Sequence, residues 1–151
     1  MSRVDWIVCE RGPRWSAAVR MALAAEDAAA RLVEIRMLSE LDAAISGRPH
    51  AMVAIEVYAG NFAAVLNWLP AARDRHATAS FAALVDGSLG EATDSTIATL
   101  FEAGAQAVAA SPRRLEAVLA LGRKHGQLSA GFSRGSTALD EAWASLPWQA
   151  S

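Results

Sequence analysis

The chain has 151 residues, of which 53% are hydrophobic and 20% charged, and its formal net charge is -2. This length suits one domain with a real core, and the apolar fraction is too high for a disordered chain. The basic residues are scattered, which argues against binding to nucleic acid or to a membrane surface. No apolar run approaches the roughly 20 residues that span a bilayer. With a single cysteine and no secretion signal, we expect a soluble protein of the reducing cytoplasm.

The first third of the sequence alternates between strand-like and helical patterns. The apolar run "VDWIVCE" (4–10) predicts a strand, and the spacing of Trp15 and Val19 after the breaker "RGP" predicts a helix. In "RLVEIRML" (31–38) apolar and polar residues alternate, as they do in a strand with one exposed face. A short helix that contains Leu41 is predicted next. This part of the chain therefore supplies two strand and helix units.

The middle of the chain repeats this order with more fully apolar strands. "AMVAIEVY" (51–58) predicts a buried strand with one acid, Glu56, near its end. Asn61 is a good N-cap for the following helix, which we predict to be interrupted at Pro70 because proline lacks the N–H that a helix interior needs. "ASFAALVD" (79–86) then predicts a fourth strand. Strands that are covered on both faces have this composition.

The last two units are marked mainly by their start and stop signals. A fourth helix is predicted to end at Gly104, and "AQAVAAS" (105–111) predicts a fifth, weaker strand. Ser111 is a candidate N-cap for the final helix, with Pro112 at its first position and Gly126 at its end. The chain thus contains five strand and helix units.

Strict alternation of strands and helices predicts an α/β fold with a parallel sheet and helices on both of its faces. The second run alternates, and the apolar residues of the fifth are only alanine and valine, so both suit edge positions. This pattern matches the flavodoxin-like, doubly wound order 2-1-3-4-5, a three-layer α/β/α sandwich. Ligands bind such sheets at the carboxyl ends of the strands, where Cys9, Glu10 and Glu56 fall.

The acids at these strand ends and the stretch "FEAGAQAVAASP" (101–112) resemble the receiver domains of bacterial two-component response regulators, the CheY-like proteins. The resemblance covers roughly residues 3–126 and rests on the order of elements and a few anchor positions. It implies a site at which two acids after strand 1 hold magnesium and an aspartate after strand 3 accepts a phosphoryl group. In the family, a Ser or Thr after strand 4 and a lysine before a cis-proline after strand 5 complete that site.

At the positions of the magnesium ligands and of the phosphoacceptor, the chain departs from the family. The acidic pair reads "CE", so Cys9 replaces the first acid and only Glu10 is retained. The phosphoacceptor position reads Glu56, whose longer side chain moves the carboxylate by one methylene. A displacement on the order of 1 Å can cost ~100-fold in rate. We therefore predict no phosphorylation, and we interpret Glu56 as a fixed negative charge that partly imitates the phosphorylated state.

The later positions of the family's site are also altered. Asp86, or Val85 before it, stands where the hydroxyl residue is expected, although Asp86 is also a suitable turn residue. The lysine position reads Ser111, which its predicted role as a helix cap explains, and Pro112 keeps the proline. Without the ammonium group and one metal ligand, much of the stabilisation of a transferred phosphoryl group is lost. We expect no cofactor and no metal at this degenerate site.

Cys9 and the two glutamates also have simpler interpretations. The three histidines are predicted at the opposite strand ends or on helix tails, so Cys9 is favoured as a buried core residue over a nucleophile. Glu10 and Glu56 could bind a cation together, or they could be hydrated acids at a solvent-facing edge of the sheet.

We divide the chain into a receiver-like domain, residues 1–126, and an extension, residues 127–151. The extension begins with glycine and serine and then places apolar side chains on one face of a short predicted helix. That helix either packs back on its own domain or binds a partner through Leu139, Trp143 and Trp148, since aromatic anchors often dominate binding energy.

The leading hypothesis is a stand-alone, phosphorylation-independent module, not an enzyme, that acts by contact with a protein partner. A homodimer could form through the helix 4, strand 5 and helix 5 face that many receivers use, where the apolar candidates are Ile97, Leu100 and Phe101. The alternative is a small flavodoxin-like enzyme or ligand-binding protein with a pocket at the carboxyl ends of the strands.

Overall fold

The computed structural model of the protein describes residues 3–26, 28–89 and 94–128. Its strands form a five-stranded parallel sheet with the order β2-β1-β3-β4-β5. The strands are β1 (Val4–Cys9), β2 (Ala30–Ile35), β3 (Met52–Val57), β4 (Ser80–Val85) and β5 (Ala107–Ala109). This confirms the predicted flavodoxin-like order, with the alternating second strand and the short fifth strand at the edges.

Helices lie on both faces of the sheet. They are α1 (Arg14–Ala25), α2 (Leu41–Ser46), α3 (Phe62–Arg75), α4 (Asp94–Ala103) and α5 (116–128). Short 3-10 turns precede α2 at Leu38–Glu40 and α4 at Gly87–Leu89. In the part of the chain that the structure describes, no helix has the length and apolar character needed to cross a bilayer.

Side chains that alternate along the strands form two cores, one on each face of the sheet. On one face, Ile55 of β3 and Phe81 of β4 belong to a core that contains buried residues of α2, α3 and α4. On the other face, Trp6 and Val8 of β1 pack in a core that α1 and α5 complete. Because β1, β3 and β4 contribute to both cores, their sequences are apolar apart from Asp5, Glu56 and Ser80.

Helix α3 runs through Pro70, so the predicted interruption there is wrong. Leu69 beside it is buried in the core, and this packing holds the helix although Pro70 has no N–H to donate. Asn61 precedes α3 as predicted, but its side chain does not cap the helix. Its Oδ1 instead accepts a hydrogen bond from the Tyr58 N–H, and its Nδ2 donates to the Glu56 carbonyl, each at 2.8 Å. Asn61 therefore shapes the turn after β3.

The last helix begins at residue 116, one turn later than the start predicted at Pro112. Residues 111–114 form a turn in which the Ser111 Oγ accepts a hydrogen bond from the Arg113 N–H at 3.2 Å. Ser111 therefore caps this turn rather than the helix itself. Strand β5 is also shorter than the predicted 105–111, and only the three residues Ala107–Ala109 belong to the sheet.

Two glycines allow α5 to lie close to β1. A Cβ atom at Gly126 would lie 2.9 Å from the Val4 Cγ2, and one at Gly122 would collide with the Trp6 indole. Gly126 is therefore a packing position inside the helix, and its predicted role as a helix stop is wrong. The predicted domain boundary after residue 126 accordingly falls within a continuous helix. The proposed anchors Leu139, Trp143 and Trp148 lie outside the described residues.

Asp42 links α2 to α3. Its hydrogen bonds lead us to expect that the stability of the fold depends on pH. Its carboxylate accepts hydrogen bonds from His76, Arg75 and Trp68 at 2.8, 2.9 and 3.2 Å. Burial raises its pKa, but these hydrogen bonds outweigh burial and lower the pKa from 3.8 to about 2. A depressed pKa stabilises the fold above pH 3.8, and that contribution is lost as the pH falls through about 2.

Urea unfolding measures the free energy of unfolding at these two pH values. As the pH falls between them, the free energy of unfolding should decrease less in Asp42→Asn than in the wild type. Asp74→Asn is the matched control, because Asp74 is exposed on the same pair of helices. An equal pH dependence in the wild type and Asp42→Asn would contradict the assignment.

Candidate functional site

The carboxyl ends of β1, β3 and β4 meet at one edge of the sheet, and an arginine lies between two acids there. The Arg11 Nε is 3.0 Å from the Glu56 Oε1, and its Nη2 is 2.5 Å from the Asp86 Oδ2. The Arg11 backbone N–H also donates to the Glu56 Oε1 at 3.2 Å. The guanidinium stacks on the Tyr58 ring, 3.6 Å from its centroid. One residue of the loop after β1 thus joins the ends of β3 and β4, and we call this group the acidic edge.

The charges of the acidic edge compensate one another. The hydrogen bond to Glu56 is the main cause that raises the pKa of Arg11 above its usual value. Glu56 is only 8% exposed, so its carboxylate needs such a partner to remain buried. The more distant Arg14 adds a second contact to Asp86 at 4.0 Å. The alternative interpretation of Glu56 as a hydrated, solvent-facing acid is therefore wrong.

Glu10 caps the first helix and does not face an open metal site. Its Oε1 accepts a hydrogen bond from the Trp15 N–H at 3.0 Å, and its Oε2 accepts one from the Ser16 N–H at 2.5 Å. Both amides belong to the first turn of α1, where helices carry unpaired donors and a partial positive charge. Glu10 is 2% exposed. Glu10, the retained acid of the degenerate site, therefore has a structural role, and the alternative that it is a hydrated, solvent-facing acid is wrong.

Cys9, at the end of β1, is buried in the same core as Ile55 and Phe81. Burial is the main cause that raises the pKa of its thiol to about 11, and the carboxylates of Glu40, Glu56 and Glu10 raise it further. A thiol with this pKa stays protonated at neutral pH and is a poor nucleophile. The structure thus supports the interpretation of Cys9 as a core residue.

A cavity of about 260 Å³ opens beside the acidic edge. Its walls include Cys9, Arg11, Arg36, Glu56 and Tyr58, so acidic, basic and aromatic groups all line it. The Arg36 guanidinium donates to the Gly12 carbonyl at 3.2 Å, which holds the loop after β1 in place. Within the described ranges, no group of three or more His, Cys, Asp or Glu side chains could hold a metal ion.

The two predicted site residues after β5 are not hydrogen-bonded to the described residues of the acidic edge. Ser111 makes its side-chain hydrogen bond within its own turn, and Pro112 is half-buried beside it. None of the hydrogen bonds found among the described residues joins Ser111 to Glu56 or Asp86. The structure therefore joins Glu56 and Asp86 of the predicted site through Arg11, whereas Ser111 makes its side-chain hydrogen bond elsewhere.

The predicted interface residues on α4 differ in their exposure. Leu100 is fully buried in the core, so its predicted role in an interface is wrong. Phe101 is 47% exposed, and Ile97 is half-buried. Because residues 97 and 101 are one turn apart, these two remain the apolar candidates on the outer surface of α4.

Sequence reasoning missed Arg11, the central residue of the acidic edge. The signal was present in "CERG", where a basic residue follows the end of β1 and reaches strand ends that carry two acids. Tyr58 was missed as well, although it lies directly after β3 at the same edge.

The comparisons with known proteins show similarity in structure. No protein-family model matches the chain, and no curated protein matches it in sequence. A response regulator from Thermotoga maritima superimposes with a TM-score of 0.65 at 17% identity, covering 83% of this chain and 99% of that chain. The CheY-like protein tadZ from Pseudomonas aeruginosa PAO1 gives a TM-score of 0.62 at 18% identity, covering 83% and 94%. The fold is that of the CheY-like response regulators.

Two further solved structures match the fold, an atypical response regulator and a pilus-related protein. An atypical orphan response regulator, described as having a phosphorylation-independent regulatory mechanism, matches with a TM-score of 0.61 at 17% identity, covering 82% of this chain and 96% of that chain. A putative pilus assembly-related protein from Burkholderia pseudomallei K96243 matches with a TM-score of 0.60 at 15% identity, covering 81% and 90%. At these identities the likeness establishes the CheY-like fold.

Proposed function

We propose that the chain is a phosphorylation-independent, receiver-like module of the cytoplasm that acts by contact with another protein. The observation that carries this proposal is the Arg11 guanidinium between Glu56 and Asp86, at 3.0 and 2.5 Å. The guanidinium occupies the place of the metal ion that phosphoryl transfer would need, and it pairs with the carboxylate that would have to be free. The acidic edge thus contains its own cation.

Arg11 opposes phosphorylation in two ways. The Glu56 Oε1 already accepts hydrogen bonds from the Arg11 backbone and side chain, so this oxygen is not free to attack phosphorus. A divalent cation would also have to displace the guanidinium from Glu56 and Asp86 before it could neutralise them. The extra methylene of Glu56 adds to these obstacles because in-line transfer depends on positioning.

The same contacts hold the edge in one arrangement. Asp86 lies between β4 and the 3-10 turn Gly87–Leu89 that leads toward α4, and Arg11 joins it to Glu56 and to the loop after β1. A fixed ion pair can thereby stabilise the conformation that a phosphoryl group would otherwise select. The similarity to a regulator described as phosphorylation-independent supports this interpretation.

Phosphorylation reagents provide the test of this proposal. With acetyl phosphate or beryllofluoride and magnesium, the protein should show no increase in mass and no change in tryptophan fluorescence. Trp15 is the relevant reporter, because its backbone N–H donates to Glu10, whereas Trp6 packs against Gly122. A magnesium-dependent adduct that Glu56→Gln abolishes would refute the proposed mechanism.

We propose a second copy of the chain as the partner of the α4, β5 and α5 face. Phe101→Ser should weaken self-association, measured by sedimentation, because it removes an exposed apolar side chain from this face. The melting temperature should stay nearly unchanged, since Phe101 is 47% exposed. Met21→Ser on α1 is the matched control, as Met21 is 75% exposed on a different helix. Equal sedimentation of all three proteins would reject this interface.

A ligand-binding function is the second candidate, and the cavity of about 260 Å³ beside the acidic edge favours it. Absorbance spectra and native mass spectra of the purified protein distinguish the two candidates. A stoichiometric bound small molecule would favour ligand binding, whereas the apoprotein alone would favour the contact module.

A further inference from the structure

A larger cavity, of about 380 Å³, opens at the opposite edge of the sheet, where β4 begins. Ligand sites commonly have volumes of roughly 300–1,000 Å³. The polar side chains in its wall include Ser80, His125, His50, Arg73 and Gln106, and among the residues that the structure describes no acid lines it. The cavity therefore suits a ligand that carries or develops negative charge.

Ser80 and His125 form a hydrogen-bonded pair in this cavity. The Ser80 Oγ is 2.7 Å from the His125 Nδ1, and the His125 Nε2 is 2.6 Å from the His50 carbonyl oxygen. A carbonyl can only accept, so in the neutral imidazole Nε2 carries the proton and Nδ1 accepts the Ser80 hydroxyl. Ser80 and His125 are 8% and 6% exposed. A serine that donates to an imidazole, itself oriented by a third group, has the arrangement of an activated nucleophile.

We infer that Ser80 is a nucleophile and His125 its general base, acting on a small carboxylic ester bound in this cavity. The Ser80 Oγ attacks the ester carbonyl carbon while its proton moves to the His125 Nδ1. The bond from that carbon to the alcohol oxygen then breaks, and the alcohol leaves with the proton. Water hydrolyses the acyl-serine by the same route, giving its proton to Nδ1, and the carboxylic acid and free Ser80 result.

The other polar residues of the cavity fit this chemistry. Arg73 and Gln106 line it and carry N–H donors for the negative charge that develops on the carbonyl oxygen. No described residue places an acid in the wall of the cavity, so none of them repels that charge or the carboxylate product. This activity would be located away from the acidic edge and does not depend on the contact function proposed above.

The test uses the full chain with phenylmethylsulfonyl fluoride and with p-nitrophenyl acetate. One sulfonyl group should attach to Ser80, with fluoride as the leaving group, and peptide mass spectrometry locates it. Ester hydrolysis should fall to the buffer rate in Ser80→Ala and by at least ~100-fold in His125→Gln. His76→Gln is the control for unspecific catalysis by imidazole, because His76 pairs with Asp42 outside this cavity.

Melting temperatures of the variants separate loss of chemistry from loss of folding. Activity lost in a folded Ser80→Ala protein, with normal activity in His76→Gln, would support the inference. An unlabelled Ser80, or hydrolysis that persists in Ser80→Ala, would overturn it and leave the pair as a structural link between α5 and the sheet.

Discussion

Glu10→Gln is expected to lower the free energy of unfolding by about 1–3 kcal/mol. Both carboxylate oxygens of Glu10 accept hydrogen bonds from the first turn of α1, and the side chain is buried. A glutamine has one acceptor oxygen, so its NH₂ group would face a buried N–H of Trp15 or Ser16. The substitution also removes a negative charge from the amino terminus of a helix.

Thermal unfolding followed by circular dichroism measures this effect, and the melting temperature should fall on the order of 5–10 °C. Glu116→Gln is the matched control, since it makes the same chemical change at an exposed position of α5. Equal melting temperatures for Glu10→Gln and the wild type would mean that Glu10 does not cap α1 in solution.

The order of the sheet could be predicted because burial leaves a direct trace in composition. Strands β3 and β4 are buried at every position and are apolar apart from Glu56 and Ser80, whereas β2 is only partly buried and alternates. Local signals were less reliable where packing overrides them. Pro70 remains in a helix because its neighbour Leu69 is buried, and Gly126 serves close packing rather than termination.

The candidate site could be predicted in its position but not in its connections. Parallel strands end at a common edge, so the chain positions of Glu56 and Asp86 were sufficient to place them together. A sequence pattern does not reveal the direction of a long side chain such as Arg11, nor that Glu10 turns toward the α1 amides. These directions depend on the loop after β1, which no periodicity describes.

Arg11→Ala is expected to raise the affinity of the acidic edge for Mg²⁺ by at least ~10-fold. The substitution removes the cation that lies 3.0 Å from Glu56 and 2.5 Å from Asp86, and it leaves two neighbouring carboxylates without it. Carboxylate oxygens are the ligands that Mg²⁺ prefers. The Arg11 side chain is itself half-exposed, so the variant should retain the fold, which circular dichroism can verify.

Isothermal titration calorimetry with Mg²⁺ tests most directly whether Arg11 occupies the acidic edge. Arg14→Ala is the matched control, because it removes the same charge from the first residue of α1, where the guanidinium is 4.0 Å from Asp86. The account predicts a saturable site in Arg11→Ala and no saturable binding at millimolar Mg²⁺ in the wild type or in Arg14→Ala. Saturable binding in the wild type that equals that of Arg11→Ala would contradict it.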